Sequence, residues 1–184
     1  SITAGTIGAR VTDGTNVFAL SNNHVYADEN AAALGDAVIQ PGSFDGGSSS
    51  ADDIGTLSAF IPIAFDGSAN TVDAAIALSS EGQLGNATLS AGYGTPDSTT
   101  VSATSRMKVQ KYGRTTGFTK SRVWATNVSV NVGYDSGTAL FTGQIAVRGA
   151  GFSAGGDSGS LVVTQSGNNP VGLLFAGGGQ YTFL

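Results

Sequence analysis

GGDSGSLVV, residues 155–163, places a serine between glycines and then runs directly into an apolar segment rich in β-branched residues. Gly156 and Gly159 permit a tight and irregular turn around Ser158, because glycine tolerates backbone angles that other residues avoid. Such a turn can aim the N–H groups of Gly156 and Ser158 at one point, as the developing oxyanion of an acyl transfer requires. The stretch therefore predicts a chemically accessible serine on a turn that leads into a strand.

Two earlier strings carry the groups that could activate this serine. LSNNHVYA (residues 20–27) contains His24, the one histidine of the chain, and TVDAAIAL (residues 71–78) places Asp73 before an apolar strand. A serine hydroxyl needs a base within hydrogen-bond reach, and a carboxylate can hold a histidine in the required tautomer. Taken singly, each residue also fits an ordinary structural role, as a satisfied polar histidine, a turn serine or a capping aspartate.

Composition excludes several classes of protein. The 184 residues are 40% hydrophobic, 11% charged and include 28 glycines, no cysteine and one histidine. A disulfide scaffold, a cysteine zinc site and a multi-histidine metal site are therefore excluded, and no metal site is assigned. No apolar run reaches the length of about 18 residues that a membrane span needs, so no membrane span is expected.

Short β-branched runs between Gly, Asn, Asp and Ser clusters indicate an all-β fold. No long window keeps a helical period, and at most residues 24–33 hold a turn or two of helix. The polar, Gly- and Ser-rich residues 81–104 are interpreted as a linker between an N-terminal half, 1–80, and a C-terminal half, 105–184. Strands are predicted near residues 5–12, 17–21, 37–40, 54–62, 71–78, 107–111, 120–132, 139–147, 160–165, 171–176 and 181–184.

Charge is distributed unevenly along the chain. Residues 1–100 hold eleven acids and one base, a net charge of −10, whereas residues 101–184 hold two acids and seven bases, a net charge of +5. Either the two halves attract each other, or the second half carries a basic patch for a polyanion. The bases are widely spaced with few aromatic residues among them, so no nucleic-acid partner is expected.

The order His24, Asp73, Ser158, with GDSGS around the serine, resembles that of the chymotrypsin-like serine peptidases. The resemblance covers nearly the whole chain. GRTTGFT (residues 113–119) is similar to a segment of Cys-free and Cys-poor bacterial members such as the α-lytic protease group, and VGLLFAGG (residues 171–178) is similar to the substrate-binding strand. An α/β-hydrolase would place its histidine after the serine, but none of the 26 residues after Ser158 is a histidine.

The resemblance implies two six-stranded antiparallel β-barrels of the chymotrypsin type, with the active site in the cleft between them. It implies a serine endopeptidase that works through an acyl-enzyme, with a polypeptide substrate and no cofactor. His24 would be the general base, Asp73 would orient it, and Ser158 would attack the scissile carbonyl. The N–H groups of Gly156 and Ser158 would form the oxyanion hole.

The resemblance also implies a substrate-binding surface. Residues 175–177 (Phe175, Ala176 and Gly177) would pair with the substrate backbone, and Phe152 stands where trypsin-like members keep an aspartate. With no acid near the expected pocket and no second histidine, cleavage after Lys, Arg or Glu is disfavoured. A small-to-medium apolar P1 residue is expected.

Two supporting contacts follow from the same comparison. Asp157 lies beside the expected oxyanion hole, and Arg114 resembles the basic residue that pairs with it in members not activated by a new N-terminus. Phe175 and Ala176 stand where the family often has a serine followed by an aromatic residue, so a hydroxyl that usually supports Asp73 is missing. Backbone N–H groups or another hydroxyl are expected to hold Asp73 instead.

The chain ends near the last predicted strand, whereas family members usually continue into a C-terminal helix. Four explanations of the missing helix stay open: it is cleaved off, disordered, lost at the boundary of the sequence, or replaced by a partner, so that a partner or a C-terminal segment covers the second barrel. The resemblance also implies an extracellular or cell-envelope location in a bacterium. Two rival functions remain open: a catalytically idle double barrel that serves as a peptide-binding or scaffold module, and an esterase with the same triad.

Overall fold

The computed structural model describes residues 4–184 and consists mainly of antiparallel strands. One short helix, α1 (Asn23–Tyr26), and one 3₁₀ turn (Ser43–Asp45) interrupt them. The strands are β1 (Ala9–Thr12), β2 (Val17–Ser21), β3 (Ala37–Ile39), β4 (Asp53–Phe60), β5 (Ala69–Asn70), β6 (Ala75–Ser79), β7 (Lys108–Gly113), β8 (Gly117–Tyr134), β9 (Gly137–Arg148), β10 (Leu161–Thr164), β11 (Pro170–Leu173), β12 (Ala176–Gly178) and β13 (Tyr181–Phe183).

The first sheet has the strand order β1-β2-β6-β4-β3 and every pair in it is antiparallel. Its register sets Ser21, the last residue of β2, opposite Ala75, the first residue of β6. The segment that follows β2 and the segment that precedes β6 therefore leave the same end of the sheet side by side. His24 lies on the first segment and Asp73 on the second, so strand register alone makes them neighbours. The buried core of this sheet comprises Ala19, Val38, Ile54, Ala77 and Leu84.

The second sheet has the order β11-β10-β7-β8-β9-β13-β12, so β12 is an edge strand. Strands β8 and β9 form a long hairpin of 18 and 12 residues. Its tip reaches the first half, where the Glu29 carboxylate accepts the N–H groups of Asp135 (3.1 Å) and Ser136 (2.7 Å). The core of this sheet includes Val109, Val123, Val147, Phe152, Val162, Leu174 and Leu184.

The all-β prediction is confirmed, but the strands are not shared out as two sets of six. The two sheets of the described chain contain five and eight strands, because β5, from the N-terminal half, pairs in parallel with β9. Next to it, Ile63 and Phe65 pack with Phe141 and Phe175 of the C-terminal half. The N-terminal half therefore contributes directly to the second core. Within residues 4–184, no helix is long and apolar enough to cross a membrane.

Residues 81–104, predicted to be a linker, contain no strand in the structure and pack against both halves. Leu84 is buried in the first core, and Ala103 packs against the second. The side chain of Arg10 donates to the carbonyl of Leu84 at 3.3 Å. The division of the chain at this segment remains a prediction.

Candidate active site

The helical turn that carries His24 is fixed by two buried asparagines, Asn22 and Asn23, neither of which is exposed to solvent. The Asn22 amide donates to the carbonyl of Asp73 at 2.8 Å, which ties the two segments together. The Asn23 amide donates to Asn30 (2.8 Å), and Asn30 N–H donates back to the Asn23 side chain (3.1 Å). This reciprocal pair closes the loop after α1, where residues 28–30 all have positive φ angles.

His24 and Asp73 form a direct hydrogen bond. Nδ1 of His24 lies 2.6 Å from Oδ2 of Asp73, whose side chain is completely buried, and the backbone N–H of His24 donates to Oδ1 at 3.3 Å. An ionised carboxylate only accepts hydrogen bonds, so Nδ1 carries the proton in a neutral imidazole. The basic lone pair is then on Nε2, the position from which an imidazole can accept the proton of a hydroxyl.

A third group on this carboxylate is the hydroxyl of Tyr134, which donates to Oδ2 of Asp73 at 2.9 Å. The Tyr134 ring also meets the His24 ring edge-on, with 5.6 Å between centroids. Burial, and then the charge of Asp73, raise the pKa of Tyr134. The sequence predicts that Asp73 lacks its usual serine hydroxyl, because Phe175 stands in that position. The hydroxyl of Tyr134, at the end of β8, supports Asp73 instead. Sequence reasoning missed this residue, since only the fold of the long hairpin brings it to residue 73.

The turn that carries Ser158 is docked against the end of β2. The backbone N–H of Thr6 donates to the carbonyl of Ser158 at 2.8 Å, and the N–H of Gly159 donates to the carbonyl of Leu174 at 2.7 Å. Gly159 has φ +93°, and a Cβ there would lie 2.2 Å from both the Ser21 hydroxyl and the Thr6 carbonyl. Only glycine therefore allows this approach, which brings Ser158 beside the strand that leads to His24.

The hydrogen bonds of residues 4–184 include the His24–Asp73 pair but none between His24 and the hydroxyl of Ser158. The structure shows the turn of Ser158 packed against Thr6 and Ser21, at the end of the strand that precedes His24.

Two backbone N–H groups on the serine turn point to an anion site. Gly156 has φ +94°, and a Cβ there would lie 2.4 Å from the Thr115 hydroxyl, so the turn needs glycine here too. Within the described chain, the N–H groups of Gly156 and Ser158 donate to no protein acceptor, although those of Asp157 and Gly159 do. Paired donors of this kind can stabilise an oxyanion.

The predicted pair between Arg114 and Asp157 is wrong. Asp157 is fully buried and forms its ion pair with Lys111, also fully buried, with Nζ 3.4 Å from Oδ2. Arg114 lies at the exposed β7–β8 turn and forms a two-point contact with Asp45, including Nε to Oδ2 at 2.7 Å. Lys111 satisfies Asp157 because it lies on β7, where its side chain enters the protein interior.

Asp157 is also held by donors from two turns. Its carboxylate accepts the N–H groups of Thr115 (2.8 Å), Thr116 (3.1 Å) and Ala154 (2.9 Å), and the hydroxyl of Thr116 (2.7 Å). Burial by itself would raise the pKa of Asp157, but these hydrogen bonds together hold its pKa below the ordinary value. Burial lowers the pKa of Lys111, and the charge of Asp157 opposes that change. The network locks the turn on which residues 156–158 lie.

The residues predicted to bind substrate divide into two groups. Phe152 and Phe175 are 2% and 4% exposed, and Phe175 packs on Phe141 with 4.5 Å between ring centroids. Their rings belong to two buried clusters of the core. Ala176 and Gly177 lie instead on the edge strand β12, where Gly177 is exposed and the unpaired side of the strand can receive another chain.

No group of three or more His, Cys, Asp or Glu side chains that could hold a metal ion is present among residues 4–184. The segments described above carry a serine hydroxyl, an imidazole–carboxylate pair and two backbone donors. Together these groups can activate an alcohol and stabilise an oxyanion.

Solved structures similar to this chain include bacterial serine proteases. Thermobifida fusca Protease A is 21% identical (TM-score 0.60; 99% of this chain and 89% of that chain are covered), and Nocardiopsis protease is 19% identical (TM-score 0.63; 99% and 90%). A glutamic acid-specific serine protease, described as using a novel histidine triad in substrate binding, is 23% identical (TM-score 0.62; 100% and 91%).

The structural comparison finds relatives of this chain, whereas comparison of its sequence finds none. No protein-family model matches the sequence, and no curated protein matches it at a significant level. The structural similarity extends over essentially the full chain. The chain therefore has the fold of the bacterial chymotrypsin-like serine proteases.

Proposed function

We propose that this protein is a serine endopeptidase that cleaves peptide bonds through an acyl-enzyme. In this proposal Ser158 is the nucleophile, His24 the general base and Asp73 the carboxylate that orients it. The observation that carries the proposal is the 2.6 Å hydrogen bond between His24 Nδ1 and the completely buried Asp73. The turn of Ser158 packs against the end of β2, the strand that leads to His24. The fold shared with bacterial serine proteases supports the same assignment.

The chemistry follows the established serine–histidine–aspartate scheme. His24 Nε2 takes the proton of Ser158 Oγ as that oxygen bonds to the scissile carbonyl carbon. The resulting imidazolium then gives the proton to the departing amine nitrogen, which leaves an ester on Ser158. Water, deprotonated by the same imidazole, hydrolyses the ester and restores the serine. Asp73 stays ionised throughout and stabilises the imidazolium.

Backbone donors and a side-chain donor complete the proposed site. The N–H groups of Gly156 and Ser158 would receive the oxyanion, and removal of one such donor costs about 3–4 kcal/mol of transition-state stabilisation. Tyr134 is proposed as a positioning residue, since its hydroxyl fixes the carboxylate that fixes His24. The substrate backbone would add to the open edge of β12 at Ala176 and Gly177.

The proposed specificity is a small-to-medium apolar P1 residue. Residues 152–155 and 175–179 include no acid that would recognise Lys or Arg, which disfavours those residues. Because His24 is the one histidine of the chain, a histidine-based site for glutamate, as described for the 23% identical structure, has no residues to form it. An extracellular or cell-envelope location also remains a proposal.

A fluorophosphonate probe tests the assignment directly. We expect covalent labelling of the wild-type protein, with the modified residue identified as Ser158 by mass spectrometry. Ser158→Ala should abolish labelling, and Ser160→Ala provides a matched control on the neighbouring serine. Absence of labelling in folded wild-type protein would favour the idle peptide-binding module. Labelling together with hydrolysis of esters but not peptides would favour the esterase.

A further inference from the structure

Four cations lie together on one exposed face of the second sheet, away from the proposed triad. Lys108 on β7 is directly opposite Arg122 on β8, and Arg122 is directly opposite Arg148 on β9. Residues directly opposite one another in antiparallel strands project from the same face, so these side chains form a row. Arg106 lines the same depression of about 450 Å³ as Arg122 and Arg148. We call these four residues the basic face.

The basic face is not neutralised by the protein. All four side chains are exposed, and the ion pairs of residues 4–184 include none of them. Like charges directly opposite each other destabilise a sheet, so folding alone does not favour placing Arg122 against Arg148. An anionic ligand bound beside these side chains would be attracted to both and would offset their mutual repulsion.

An exposed aromatic side chain adjoins the cations. Trp124 is 49% exposed, lines the same depression, and packs on Tyr181 with 5.0 Å between ring centroids. Tyr181 on β13 is directly opposite Arg148 and continues the row toward the edge of the sheet. A half-exposed tryptophan beside guanidinium groups is typical of a binding surface, because it offers apolar area to a charged partner.

We infer that the basic face, with Trp124, docks an acidic segment of a polypeptide. Neighbouring strands are about 4.8 Å apart, so Lys108 and Arg148 lie about 10 Å apart across β8. An extended peptide with acids at alternate positions presents a carboxylate about every 6.7 Å along one side, so about two of its carboxylates fit along a row of this length. Four unneutralised cations on one face complement such a segment in charge.

The basic face and the proposed substrate edge belong to the same sheet, which favours a polypeptide over another polyanion. Tyr181 is directly opposite Gly178, the last residue of β12. A substrate strand added to the open edge of β12 lies on the side of β12 away from β13, so the same polypeptide reaches Tyr181 and the basic face by turning around the end of the β12–β13 hairpin. On the proposed function, the basic face would favour polypeptides whose acidic run lies several residues from the cleaved bond.

Trp124 is the one tryptophan of the chain, so its fluorescence reports on this face directly. The experiment titrates the 184-residue Ser158→Ala chain with an octaglutamate peptide at low ionic strength. We expect a saturable change in Trp124 emission that weakens as salt is added, since exposed charges are screened. A Gly–Ser peptide of equal length should produce no change.

Charge reversal provides the matched comparison. Arg148→Glu should weaken octaglutamate binding about tenfold or more, and Arg122→Glu should act alike, because each also repels the ligand. Both variants should fold, since each creates an opposite-charge pair across β8 and β9. Arg10→Glu makes the same charge change on the first sheet and should alter affinity less than about twofold.

Several results would overturn the inference. These are an unresponsive Trp124, an equal response to the neutral peptide, or unchanged affinity in Arg148→Glu. Tighter binding of an octathymidylate than of octaglutamate would assign the basic face to nucleic acid instead. If the wild-type protein binds no peptide but self-associates, and Arg148→Glu abolishes the self-association, the basic face would be assigned to a second copy. Because binding is measured on Ser158→Ala protein, these outcomes are independent of fluorophosphonate labelling, which alone tests the proposed activity.

Discussion

Lys111→Met is expected to destabilise the protein by removing the one cation paired with buried Asp157. Both side chains are fully buried, and breaking such a pair on one side costs about 3–5 kcal/mol because a charge remains uncompensated. Four other hydrogen bonds still reach the Asp157 carboxylate, so the lower limit applies, about 3 kcal/mol. For a chain of this size, that loss lowers the thermal midpoint by about 6–12 °C.

Thermal unfolding followed by circular dichroism measures this effect, and a double-mutant cycle isolates the pair. The double variant Lys111→Met, Asp157→Asn should be more stable than the sum of the two single losses predicts, by at least about 1 kcal/mol. Lys120→Met is the matched control on an exposed lysine and should shift stability by less than about 0.5 kcal/mol. A loss below about 1 kcal/mol in Lys111→Met, or strict additivity in the cycle, would refute the reasoning.

Four further predictions follow from the site. Tyr134→Phe should lower kcat about tenfold in a peptide hydrolysis assay, with KM nearly unchanged, because a hydrogen bond to the charged Asp73 is lost. The pKa of Asp157 is depressed in the folded protein, so its contribution to stability is complete above about pH 4 and is lost as the pH falls further. Urea unfolding at a series of pH values should show this loss of stability. Asp157→Asn should make the stability less dependent on pH in that range. Gly159→Ala should abolish fluorophosphonate labelling, since its Cβ would collide with the first half of the chain. Arg114→Ala should leave the thermal midpoint and the labelling rate near wild type, and a large loss in either would restore a role for this residue beside the serine turn.

The all-β class and the principal site segments could be predicted because they depend on local signals. A glycine-flanked serine, a lone histidine after a strand and an aspartate before a strand are all visible in the sequence. The His24–Asp73 contact then follows from register, because β2 and β6 pair with Ser21 opposite Ala75. The parallel pairing of β5 with β9 could not be predicted in this way, because two residues carry no periodic signal.

The partner of Asp157 was missed for a different reason. Arg114 lies next to the segment that resembles the family, and a sequence does not show which of two nearby cations enters the interior. On β7 the side chain of Lys111 is directed inward, whereas the turn residue Arg114 is exposed and meets Asp45. Lys111 pairs with Asp157 because its side chain is the one that is buried. The aliphatic part of a lysine can pack in apolar surroundings, here near the ring of Phe152, whose centroid lies 5.9 Å from Nζ.

Asp73 links the two halves of the molecule. From the N-terminal half it receives the ring and backbone N–H of His24, and from the C-terminal half it receives the hydroxyl of Tyr134. Glu29 holds the tip of the hairpin that ends β8 at Tyr134, so the orientation of the carboxylate depends on how the hairpin docks on the first half. The hydroxyl that supports Asp73 belongs to Tyr134 on the β8–β9 hairpin and not to the strand beside Ser158. The orientation of the His24 imidazole is therefore sensitive to the packing between the two halves. Changes at the hairpin tip should therefore affect turnover more than substrate affinity, because they act through Asp73 and His24 and not through β12.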